Sequence, residues 1–307
     1  MKYDYKAPHA LFETLISFDP SGKPCLYFCV EGRESSFMSP ASDEPSVVYH
    51  YCSSQTASSI INTLTIWLSD LFCTNDSREV TWFLAQFCSY VNSLSLTTQL
   101  EIQKIHFLYH LFRLNLMWGF AACFTPLRDS LCHWKHYGDQ GRGLALGFTP
   151  RGLNITRGLP ERHAAGECQE RSLAFLQVNY DEQAQLNLIK EIVCDVLNNK
   201  LNVMDAGFTL AKIAYTCKQQ KWSSENEWRI VYTPLEMDQS STTNTPRKLV
   251  SPIRKIPPKK RYAELYLTEN IISEIIIGPK CTLSSEEIKN LRPPLHCNIR
   301  RSKIIYD

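Results

Sequence analysis

The chain carries no CxxC pair, no GxGxxG, no GxxxxGK[ST] and no GxSxG. Rossmann, P-loop and α/β-hydrolase readings therefore have no support. Gly138-Asp-Gln-Gly-Arg-Gly143 is glycine-rich but precedes a strand pattern, the wrong order for a phosphate loop. No cysteine sits in a protease signature. Charge of one sign is also missing: 33 Lys+Arg against 31 Asp+Glu leave a formal net charge of +2, so the overall balance demands neither a nucleic acid nor an anionic membrane. The basic run from Arg254 to Arg261, broken by Pro257 and Pro258, reads as a solvated loop. Long apolar runs are lacking too. The most apolar stretch, Phe107 to Phe124, is interrupted by His110, Arg113 and Asn115 and suits a buried helix.

Asp4, Glu13 and Asp19 interrupt the first twenty residues, with no apolar core of a leader after them. The 12 cysteines sit singly, mostly in apolar surroundings, and read as free thiols of a reducing cytosol. What is present is ordinary for a globular protein: 44% hydrophobic and 21% charged residues, in a chain of 307 that can bury a substantial core without staples.

Residues 1–45 read as an N-terminal extension holding one strand candidate at Pro24–Val30, with a linker at 39–45. The rest, 46–307, reads as one domain. Val47–Tyr51 is a strand, and Ser53 or Ser54 caps a helix with Ala57, Ile60 and Ile61 on one face. Leu64–Leu68 is a further strand, running into a polar turn at 74–77. Residues 78–95 and 99–117 form a helical pair; in the second, Ile102, Ile105, Leu108, Phe112 and Leu116 share a face. Strands are expected at 120–124, 143–148, 173–180, 226–232, 263–267, 273–277 and 299–306. Helices are expected at 130–137, 182–199, 205–219 and 283–291, and 238–261 reads as a long exposed loop. Strands and helices mixed without strict alternation give an α+β class.

Three clusters carry possible chemistry. On a strand, Glu225 and Glu227 would project from one face, roughly 7 Å apart at their Cα atoms. Like charges that close resist ionising together, and such a pair suits reactions through an oxocarbenium-like sugar cation. The plain alternative is a strand showing its polar face to water. In Leu131-Cys-His-Trp-Lys-His-Tyr-Gly138, Cys132, His133 and His136 have helical spacing for zinc, but no fourth ligand is evident. Trp134 and Tyr137, three apart, would form an aromatic platform or plain core. His50, between Tyr49 and Tyr51, gains interest only in company with the other two clusters.

In order, Tyr49-His50-Tyr51, Asn75-Asp76 with Glu79, Trp134-Lys-His-Tyr137-Gly138 before Gly143–Phe148, and Glu225-Asn-Glu227-Trp-Arg are similar to a bacterial domain-of-unknown-function family that resembles divergent ADP-ribosyltransferases, some of them secreted effectors. The resemblance spans roughly 47–280, and it rests on the order of short motifs. It implies a split β-sandwich gripping NAD as substrate, with the helical pair at 78–117 as an insertion. It gives His50 the ribose-binding role, with Tyr51, Ser53, Asn75 and Asp76 beside it. It sets Trp134 or Tyr137 against nicotinamide and makes Glu227 the carboxylate that stabilises the cation. Glu225 would orient an arginine of a protein substrate, since arginine stays protonated and needs a carboxylate to hold it and help take its proton. A host metabolic enzyme such as an NAD-dependent glutamate dehydrogenase is the expected kind of target, reached without a cleaved signal peptide. The Ser-Thr-Ser motif of typical arginine transferases is not visible. NAD hydrolysis on the same fold and a non-catalytic binding module remain the alternatives.

Overall fold

The computed structural model describes residues 44–305, apart from 74–78, 154, 161–171, 235–248, 252, 257–259, 269, 292 and 295. The strand expected at 24–30, and Asn75 and Asp76, lie outside the described residues.

The described residues form an α+β structure with two sheets. One has four strands: β1 (Val48–Cys52), β4 (Leu144–Phe148), β9 (Ile272–Ile277) and β10 (Asn298–Arg301), hydrogen-bonded in the order β1-β4-β9-β10. The other has six, in the order β5-β6-β3-β2-β8-β7: β5 (Leu173–Gln177), β6 (Trp228–Tyr232), β3 (Phe120–Phe124), β2 (Thr65–Asp70), β8 (Lys260–Tyr266) and β7 (Arg254–Ile256). All pairs of the larger sheet are antiparallel; in the smaller, only β9 and β10 run parallel.

The sheets share one core. Val48, Leu144, Leu146, Ile275 and Ile277 of the small sheet pack with Ile66, Leu68, Phe120, Ala122, Ile230 and Leu265 of the large one. Alternation along each strand sends the intervening residues to the other face. On the large sheet these are Ala121, Ala174, Leu176 and Val231, which meet a layer of helices. The layer is built from α2 (Glu79–Ser93), α3 (Gln99–Leu116), α5 (Glu182–Leu197) and α6 (Val203–Ala214). The helical pair expected as an insertion, α2 and α3, thus packs with α5 and α6 over the sheet and shares their core. Gly207 of α6 lies against Leu111 of α3 so closely that a Cβ there would collide with the leucine side chain. On the small sheet Tyr49, Tyr51, Ala145 and Ile276 face outward and are covered by Trp134 of α4 (Leu131–His136).

Local signals explain the boundaries. Ser53 caps α1 (Ser54–Thr63) by accepting from the Thr56 amide, and Ala57, Ile60 and Ile61 are its buried face. Thr98 and Glu101 form a capping box at the start of α3. Asp181 caps α5 through the amides of Gln183 and Ala184. Ile102, expected on the buried stripe of α3, is exposed, because the stripe drifts away from it at the first turn.

The structure corrects three expectations. The stretch read as a loop at 238–261 holds β7 and the start of β8, which pair with each other, and β8 goes on to pair with β2, a distant partner that local composition does not reveal. The last strand is only Asn298–Arg301. The 226–232 strand begins at Trp228; Gln220–Glu225 is a 3₁₀ segment ended by Asn226 in the left-handed region, φ 44° and ψ 53°.

Candidate functional site

The turn at Asn226 changes how the two carboxylates meet. They do not share a strand face. Glu225 closes the 3₁₀ segment, Asn226 turns the chain, and Glu227 precedes β6. The left-handed residue re-aims the backbone between them, and both side chains end on one ammonium. Lys218 donates to Glu225 Oε2 at 2.8 Å and to Glu227 Oε2 at 2.5 Å. Asparagine tolerates that conformation better than most side chains, which is why the turn costs little here.

Arg229, one pleat further along β6 on the same face as Glu227, completes the network. Its Nε lies 2.8 Å from Glu227 Oε1, a second nitrogen 3.2 Å from Oε2, and the third donates to the Tyr215 carbonyl at 2.5 Å. Arg229 is fully buried and Lys218, Glu225 and Glu227 are nearly so. Two cations and two carboxylates balance, as buried charge requires. Burial works against the charged form of Glu227, but Arg229 and Lys218 outweigh it, with hydrogen bonds from Arg229 and Cys123, and hold it down to about 2. Glu227 is therefore ionised throughout the physiological range.

Lys218 is brought here by backbone. The segment after α6 runs beside the continuation of β5: Asn179 donates to the Thr216 carbonyl and Lys218 donates to the Asn179 carbonyl. The fully buried Gln185 of α5 clamps the same place, donating to the carbonyls of both Asn179 and Lys218 at 2.9 Å while accepting from Trp82 and Gln86.

Around the pair stand four polar groups from three parts of the fold. The Tyr137 hydroxyl, at the end of α4, donates to Glu225 Oε1. Burial and that hydrogen bond raise its pKa, so the phenol stays protonated. Tyr180 accepts from the Glu227 amide at 3.0 Å, and burial followed by the Glu227 charge raises its pKa. Thr125, just past β3, donates to the Glu225 carbonyl at 2.9 Å. His133 of α4 stands against Glu225 as well; burial lowers its pKa, and the Glu225 carboxylate and backbone work the other way.

His50 reaches this group through Cys123. Its Nδ1 lies 2.9 Å from the Cys123 carbonyl, and the Cys123 side chain bonds Glu227. A carbonyl only accepts, so Nδ1 carries the proton and Nε2 is left as an acceptor. Burial lowers the His50 pKa, which keeps the ring neutral. The sheets are stitched together beside it, where Tyr49 and Thr125 exchange both backbone hydrogen bonds, at 2.7 and 3.0 Å.

The remaining expected residues divide. Tyr137 is 43% exposed and stands at the network. Trp134 is wholly buried beneath Tyr51, and its Nε1 donates to Asp129 at 2.7 Å, so it is core and cannot stack on a ligand. Tyr51 spends its hydroxyl on the Leu127 carbonyl and the Ser130 amide. Ser53 is a helix cap. In the Cys132, His133 and His136 cluster, Cys132 is exposed while His133 is buried against Ser130. Among the described residues no group of three or more His, Cys, Asp or Glu is arranged to hold a metal ion.

Lys218 was missed in the sequence. It sits in Cys217-Lys-Gln-Gln-Lys-Trp222, where nothing periodic singles it out. Arg229 left a signal: a charged residue inside the apolar strand Trp-Arg-Ile-Val-Tyr implies a buried partner.

Residues 133–230 match the model of a family described as a protein of unknown function, DUF2971. The match runs from α4 to β6 and takes in His133, Tyr137, Lys218, Glu225, Glu227 and Arg229, the greater part of the network. It carries no activity and says nothing of ADP-ribosyl transfer. No curated protein and no solved structure matches the chain. No helix among the described residues is long and apolar enough to cross a membrane.

Proposed function

We propose that the chain is a mono-ADP-ribosyltransferase that takes NAD as substrate and modifies an arginine of a protein. The observation that carries this reading is the convergence of two carboxylates from a turned segment onto one point, with Tyr137 hydrogen-bonded to the first and the second held ionised. In the proposed reaction the bond between nicotinamide and ribose breaks and its electron pair leaves with nicotinamide. The ribose is left as an oxocarbenium-like cation, which fixed negative charge at Glu227 would stabilise. An arginine nitrogen of the target then bonds the anomeric carbon, and the proton it sheds passes to Glu225. His50, with Nε2 as acceptor, suits a ribose hydroxyl. Tyr137 is the aromatic left open for the nicotinamide ring.

One observation favours a second reading. Glu227 is 5% exposed and both its oxygens are engaged by cations. A ribose hydroxyl must displace one of those donors, and a chain that never lets this happen is a binding module with a structural ion cluster. Incubation of the chain with labelled NAD and a host-cell lysate separates the readings. A labelled protein band together with nicotinamide release, both lost in Glu227→Gln, is expected. Glu225→Gln should lose the band and keep much of the release. Nicotinamide without a band in the wild type would mean a glycohydrolase, and no turnover by folded protein would leave the binding module.

A further inference from the structure

We propose that Lys218 is the positioning residue of the carboxylate pair: one buried ammonium, set between Glu225 and Glu227, aims both at the same point and offsets their mutual repulsion. The inference deepens the transferase reading and rests on it for its functional part alone.

The geometry divides the two cations by role. Of the two carboxylates, Arg229 bonds Glu227, through two nitrogens, and its third nitrogen donates to the Tyr215 carbonyl. Lys218 has both carboxylates within hydrogen-bond distance, at 2.8 and 2.5 Å, which holds their nearer oxygens within roughly 5 Å of each other. At that separation in a buried site, two negative charges disfavour joint ionisation strongly. Without the ammonium, Glu227 keeps Arg229, whereas Glu225 is left with the neutral Tyr137 hydroxyl and the buried His133. The groups that face the pair are then Arg229 from β6, Cys123 from β3, Tyr180 after β5, and His133 and Tyr137 from α4 and its end. Among these groups Arg229 is the strong permanent cation, and it is committed to Glu227. The pair must therefore take up a proton at higher pH once Lys218 is gone.

Lys218 is also mounted for accuracy. Its amide and carbonyl are both tied, to the Asn179 carbonyl and the Gln185 amide, so the stem starts from a fixed point. A lysine held only for solubility needs neither burial nor a clamped backbone.

The test uses the full chain with carbon-13 in its glutamate carboxyl groups, comparing wild type, Lys218→Met, Lys218→Gln and Lys218→Arg. Glu225→Gln and Glu227→Gln identify the two signals. The pH of first proton uptake by the pair should rise by one unit or more, at least tenfold in proton concentration, in both the Met and the Gln variant. Lys218→Arg should return most of it. The acid limb of nicotinamide release should move by the same amount, with kcat falling more than KM rises. If the Met variant does not fold, the Gln variant, which keeps a donor and lacks the charge, supplies the same reading. A folded variant without the charge whose carboxyl titration is unmoved overturns the proposal. A moved titration in a chain that releases no nicotinamide upholds the role of Lys218 and removes the transferase reading instead.

Discussion

Replacing Glu227 with glutamine keeps the shape of the side chain and removes its charge, which makes it the sharpest probe of the buried network. The folded chain holds this carboxyl at about 2 against an ordinary value of 4.5. Each factor of ten in proton affinity is worth about 1.4 kcal/mol, so the ionised form contributes on the order of 3 kcal/mol at neutral pH. The sign follows from the direction. A depressed folded value means stability that is present above the unfolded value and drains away as pH falls toward the folded one. The contribution is thus full above about pH 5, near 1 kcal/mol at about pH 3, and almost gone at about pH 2. Glutamine adds a further cost, because its NH₂ must face Lys218 or Arg229, donor against donor. The expected outcome is a loss of about 3–5 kcal/mol at pH 7, the range for one partner removed from a buried ion pair. The loss should shrink steadily between about pH 5 and 3. Urea unfolding of both chains at a series of pH values reads this, since titrating groups remote from the buried network cancel in the difference. A gap that stays constant with pH, or no gap at pH 7, would refute the argument.

Tyr137→Phe removes the hydroxyl from Glu225 while sparing a half-exposed ring; stability should fall by less than about 1.5 kcal/mol, and nicotinamide release by about tenfold, the worth of one hydrogen bond to a charged group. Thermal unfolding and initial rates on one preparation check both halves, and an unchanged rate would count against Tyr137 at the site. Asn226→Val puts a β-branched residue at φ 44°. It should cost about 1–3 kcal/mol and part the two carboxylates, whereas Asn226→Gly should keep wild-type activity. Equal activity in the two Asn226 variants would show that the turn does not set the pair.

Local chemistry made much of the fold legible. Ser53 before a face of Ala57, Ile60 and Ile61, and the apolar stripe of Ile105, Leu108, Phe112 and Leu116, were readable because caps and period depend on neighbours a few residues away. The strand at 228–232 was legible as strand but two residues too long, since periodicity does not register one left-handed asparagine. Trp134 and Tyr137 look alike in the sequence, three apart on one short helix. What separates them is the outer face of the small sheet, which buries the first under Tyr51 and leaves the second at Glu225.

Glu225 and Glu227 stood out by sequence alone, because two acids one residue apart beside a buried strand are chemically conspicuous. Their environment did not. Lys218 arrives from the end of α6, Tyr137 from α4 and Thr125 from β3, up to 100 residues away along the chain, set in place by the pairing of β3 with β6 and by Gln185 clamping two carbonyls. The sequence by itself determined which residues can hold charge and which stretches can bury. Only the tertiary structure decided which charges face each other, because the energy of a buried ion depends on the few ångströms around it and not on its neighbours along the chain.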